Sequence, residues 1–105
     1  MSEYVHRFLD PFNAVVCVTA AVVPEDTNVL IIEAPECERL TGGTFDRFDK
    51  LKRVDATACT QLKSFGNWLF CKAPNLERID LSRECEKHFT GWCFNPVIHK
   101  KINFI

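Results

Sequence analysis

Leu51-Lys52-Arg53-Val54-Asp55 recurs 25 residues later as Leu76-Glu77-Arg78-Ile79-Asp80. The spacing Phe-x5-Leu precedes both copies in the same phase, as Phe45 to Leu51 and Phe70 to Leu76. Self-similarity at such a period is the mark of a repeat architecture, so it decides the fold class before any single residue does. A third copy precedes these when Ile32 is set on Val54. Cys37 then falls on Cys59 and Leu40 on Leu62, and after a shorter loop Phe45 falls on Phe70. A fourth is visible in its second half, where Phe89-Thr90-Gly91-Trp92-Cys93-Phe94 resembles Leu40–Phe45. Cys85 reaches the cysteine slot if one residue is inserted after Asp80.

Each unit opens on a short alternating segment, Leu51–Ala56 or Leu76–Leu81, which the period of two predicts to be a strand. A turn with a cysteine follows, and then a Gly-containing stretch runs to an irregular or helical segment around Phe45, Phe70 or Phe94. Phe45, Phe48 and Leu51 lie three apart, as helical packing requires, while Pro74 limits a helix in the next copy. One such unit cannot bury its apolar side alone; stacked units can, each covering its neighbour. The expected fold class is therefore α/β, a short leucine-rich-repeat type of solenoid. It has one strand plus an irregular or helical segment per repeat, and three to four repeats. Its core ladders are Ile32, Val54, Ile79; Leu40, Leu62, Phe89; and Phe45, Phe70, Phe94. Residues 29–105 form the array, and residues 1–28 a cap or degenerate first repeat. There Ala14–Thr19 reads as a strand, and Met1–Asp10 as a short helix with Tyr4, Val5, Phe8 and Leu9 on its apolar side.

Composition narrows function. The chain has 105 residues, enough for one domain. Thirteen basic and 14 acidic residues leave a net charge of −1, which disfavours direct nucleic-acid binding. The longest apolar stretch, Ala14–Val23, is too short for a membrane span. Met1–Asp10 has no apolar h-region, so a soluble intracellular protein is expected. The six cysteines then read as reduced, buried small hydrophobes and not as a disulfide framework.

The pattern Leu-x2-(Val/Ile)-Asp-x3–4-Cys-x2-Leu, followed by Gly-x2-x-Phe and six residues to the next Leu, resembles the leucine-rich repeats of the BspA-like class. Short proteins of this kind are similar to ones found in protozoan parasites. Leu51–Leu81 carries the resemblance best, and Ile32–Phe94 carries it overall. It implies a non-catalytic protein with no cofactor that acts by contact with other molecules; many members are surface or adhesion proteins. This chain is expected to depart from them in having no secretion signal, and it departs in its last copy, where Phe89 and Phe94 replace leucine.

If Val54 and Ala56 point inward, Arg53, Asp55 and Thr57 point outward, and Arg78, Asp80 and Ser82 repeat them. In the earlier copy Ile31, Glu33 and Pro35 take these places, so Glu33, Asp55 and Asp80 form an acidic row beside Arg53 and Arg78. This concave face is the expected partner-binding surface, the partner being another protein. The competing reading is a solvated sheet whose charge rows offset each other. On the first reading, replacing Arg53 and Arg78 with Glu abolishes binding and leaves the fold intact. The apolar tail Lys100–Ile105 reads as a last strand or the start of a longer array. Open repeat edges suit self-association, or a structural subunit docked in a larger protein or ribonucleoprotein complex. A further alternative is a small zinc-binding domain using Cys85, His88, Cys93 and His99. No local signature of a nucleophile with its base is present.

Overall fold

The structure is a computed structural model and describes residues 3–66, 68–89 and 96–105. Among these residues there are eight strands: β1 Val5–Leu9, β2 Val15–Val18, β3 Val29–Glu33, β4 Arg39–Gly42, β5 Arg53–Ala56, β6 Ser64–Phe65, β7 Arg78–Leu81 and β8 Ile102–Phe104. They form two parallel sheets, ordered β1-β3-β5-β7-β8 and β2-β4-β6. Odd and even strands alternate between the sheets for three turns, so the chain winds as a β-solenoid of about four coils.

The register gives the coil length. Val5 pairs with Val29, Val29 with Arg53, and Arg53 with Arg78, steps of 24, 24 and 25 residues. The founding match of Leu51–Asp55 with Leu76–Asp80 is therefore a true structural repeat. In the wider sheet the even-row side chains turn inward: Leu30, Val54 and Ile79 form one ladder, and all three are buried. Val16, Leu40 and Phe65 do the same across the narrower sheet. Both sets join one hydrophobic cluster with Phe48, Leu51, Phe70 and Leu76 from the turns. Stacked parallel coils also share side-chain bridges. Asn28 donates to the Lys50 carbonyl at 3.1 Å and Asn75 to that of Asp49 at 2.5 Å.

Four expectations change. First, Leu30 and not Ile32 lies on Val54, a slip of two residues. The cysteine turns explain it. Cys37, Cys59 and Cys85 each donate their N–H to the carbonyl three residues earlier, so the cysteine slots are equivalent. Yet β3 to its cysteine is a longer arc than β5 to its own, and an alignment anchored on cysteine displaces the strand. Second, Leu40 pairs with Phe65 and not Leu62, although Leu62 is also buried. Third, the segment after the cysteine turn holds a second strand, β4 or β6, where an irregular or helical one was expected. Among the described residues, helix is confined to a 3-10 turn at Arg83–Cys85, α1 Glu86–Phe89 and α2 Pro96–His99. Phe45 accordingly leaves the core and is 84% exposed, while Phe48 and Phe70 meet edge to face inside it; Phe94 lies outside the described residues. Fourth, Val5–Leu9 is a strand, not a helix. Its apolar spacing suits either, but as a strand it satisfies the backbone groups of β3 that would otherwise face solvent.

Candidate interaction surfaces

The outer face of the wider sheet carries the charges. Asp55 lies directly opposite Asp80, and Arg53 opposite Arg78. Like charges facing across a ladder repel, and the crosswise ion pairs resolve this. Arg53 reaches Asp80 at 3.0 Å and Asp55 at 3.7 Å, and Arg78 reaches Asp80 at 3.0 Å. Asn103 of β8 donates to the same Asp80 carboxylate at 3.4 Å. Asp80 thus lies on the outward row, as expected, but is fully buried beneath these side chains and is not itself exposed for contact. The Asp55 carboxylate also accepts from the Thr57 hydroxyl and N–H, closing the turn after β5. Ser82 likewise caps the 3-10 turn by accepting from the Glu84 N–H.

Glu33 does not join the acidic row. Ile31 pairs with Asp55, whereas Glu33 pairs with Leu9 and forms an ion pair with Arg7 at 2.5 Å. The two-residue slip preserved which side chains face outward but moved Glu33 to the rim. Exchanging Arg53 and Arg78 for Glu would leave Asp80 buried among like charges, so that substitution breaks the fold and cannot isolate binding. Beside this cluster a shallow groove of about 400 Å³ is lined by Glu3, Lys52, Arg53, Glu77 and Arg78. A second concavity of about 520 Å³ has Arg47, Lys72 and Lys101 around Phe70, Ala73 and Ile98.

The N-terminal end differs in kind. Among the described residues nine large apolar side chains are exposed, and six of them belong to the first coil: Tyr4, Val5, Leu9, Phe12, Val15 and Val22. His6 and Phe8 occupy the inward rows there, opposite Leu30 and Ile32, but remain only half-buried. No strand stands on the outer side of β1 among the described residues. In contrast, the far end of the narrower sheet is covered, since the Phe89 ring of α1 packs 5.0 Å from that of Phe65. Of the apolar side chains read there from the sequence, Tyr4, Val5 and Leu9 are exposed and Phe8 is half-buried, and a strand, not a helix, carries Val5, Phe8 and Leu9.

The cysteines divide. Cys37, Cys59 and Cys85 are buried, whereas Cys17 and Cys71 are exposed, so the buried reading fails for those two. Cys93 lies outside the described residues. Burial pushes the Cys59 thiol up to about 12 and also raises Cys37 and Cys85. The Cys85 thiol donates to the Cys59 carbonyl at 3.3 Å, inside the core. That position favours the neutral thiol over the thiolate a metal takes. Among the described residues no three His, Cys, Asp or Glu side chains converge as a metal site. No helix among them is long and apolar enough to cross a membrane.

Fold and surfaces together define a small parallel β-solenoid with one charged sheet face and, among the described residues, an apolar first coil whose edge strand β1 has no outer partner. Comparison of the chain with family models, with curated proteins and with solved structures gives no match.

Proposed function

We propose that the chain is a non-catalytic interaction module that binds another polypeptide through the uncovered N-terminal end of its solenoid. The concentration of exposed apolar side chains in the first coil carries this reading. Scattered surface hydrophobes are ordinary, but six on one coil, beside a strand edge with no partner among the described residues, suit an interaction surface. An extended segment added to β1 would gain main-chain hydrogen bonds along the strand and apolar contact with its rims. The charged face ranks second, because its arginines are engaged within the fold. The resemblance of the repeat to the BspA-like class of leucine-rich repeats agrees with a contact role. Docking through a solenoid end also fits a subunit of a larger assembly.

The test compares two double variants at exposed positions. Leu9→Lys with Phe12→Lys alters the end; Lys52→Glu with Glu77→Lys alters the groove on the charged face. Polypeptides cross-linked to the immobilised chain are quantified by mass spectrometry. End docking predicts that they are lost with the first variant and retained with the second. The opposite pattern assigns binding to the charged face.

A further inference from the structure

We propose that the polypeptide seated on this end is a second copy of the same chain, its β8 laid parallel against β1. This rests on the end-docking reading and adds the occupant. Five parallel strands in register have two edges that are complementary rather than identical. The backbone of β1 bonds to β3 through Tyr4 and Asp10, so the N–H and C=O groups of Val5, Arg7 and Leu9 face outward. The backbone of β8 bonds to β7 through Lys101 and Ile105, so those of Ile102 and Phe104 face outward. Parallel bonding of these groups sets Ile102 opposite His6 and Phe104 opposite Phe8 of the next copy. That is also the register obtained by continuing the coil repeat for one more step.

The side chains agree with this register. His6 and Phe8 at one end, and Ile102 and Phe104 at the other, are inward-facing and only partly covered. Joined, they continue the ladders that run through Leu30 and Ile32. On the outer face Ile105, 60% exposed, meets Leu9, 68% exposed. Arg7 meets Asn103, whose side chain already bonds Asp80. A symmetric pairing of two β1 strands over their full length would instead place Arg7 against Arg7, which is unfavourable. The Phe104 carbonyl accepts from Arg83 at 3.3 Å, and its second lone pair serves the next strand. On the narrower sheet Phe89 already covers Phe65, so backbone pairing runs through the wider sheet alone. A head-to-tail contact of this kind leaves one edge free at each end of the stack, so growth continues past the dimer until a ring closes or copies run out.

Leu9→Lys blocks one edge and Ile105→Lys the other, each at an exposed position and each leaving the opposite edge free. Sedimentation over a wide concentration range is expected to show the unaltered chain rising reversibly above its 12.1 kDa mass. Each variant alone stays monomeric, and an equimolar mixture of the two forms a one-to-one dimer through the two intact edges. Leu9→Pro, which removes an outward N–H, repeats the Leu9 arm, and circular dichroism reports whether each chain is folded. An unaltered chain that stays monomeric throughout overturns the proposal. So does an Ile105→Lys chain that still dimerises, which would mean β1 pairs with β1. If the chain is monomeric yet Leu9→Lys with Phe12→Lys loses its cross-linked polypeptides, end docking stands and the second copy falls.

Discussion

Asp80 is the residue on which the charged face turns. Its carboxylate is fully buried between Arg53 and Arg78, whose side chains remain partly exposed. Removing the cations while leaving the anion isolates a charge away from water. Arg53→Met with Arg78→Met is therefore expected to destabilise the fold by about 3–5 kcal/mol in denaturant unfolding. Adding Asp80→Leu should recover most of that loss, because an apolar cluster replaces an ionic one. The cysteines give a second test at this scale. Cys17 and Cys71 should react with iodoacetamide in the folded chain, while Cys37, Cys59 and Cys85 react only on unfolding, as read by mass spectrometry. The Cys59 thiol is raised from an ordinary 9.0 to about 12, so above pH 9 the unfolded chain sheds its proton first. Stability is then unaffected by this group below pH 9 and falls as pH rises from there toward 12. The urea midpoint followed across that window should decline, and Cys59→Ala should flatten the decline.

At the scale of elements, close approach of coils sets the tolerances. A side chain at Gly66 would place its Cβ about 2.6 Å from the Thr41 Cβ and 3.0 Å from its Cα in the coil below. Gly66→Ala should cost roughly 1–3 kcal/mol and weaken the β4–β6 pairing, measured by denaturant unfolding and amide exchange at Phe65. Phe89→Ala uncovers Phe65 and should cost about 3–5 kcal/mol. These elements also show what a sequence reveals and hides. Alternation in Arg53–Ala56 and Arg78–Leu81 was readable because apolar side chains fill the inward row and charged ones the outer row. The second strand of each coil was not, since Arg39–Gly42 buries Leu40 alone and Ser64–Phe65 is only two residues long, so no period appears. The Asp80 cluster was hidden for another reason. Alternation places Asp80 outward, and only the register shows two arginines and Asn103 closing over it.

For the whole molecule, everything depends on stacking in register. The coil lengths of 24 and 25 residues align the inward ladders, bring Arg53 over Asp80, and give the two sheet edges their complementary form. Aligned on its cysteines, the sequence sets Ile32 beside Val54; the structure sets Leu30 there. The direct test is a measurement of backbone nuclear Overhauser effects in the folded chain. The fold described here predicts interstrand contacts linking Leu30 to Val54 and Val54 to Ile79. Contacts linking Ile32 to Val54 in their place, or none between these segments, would contradict it.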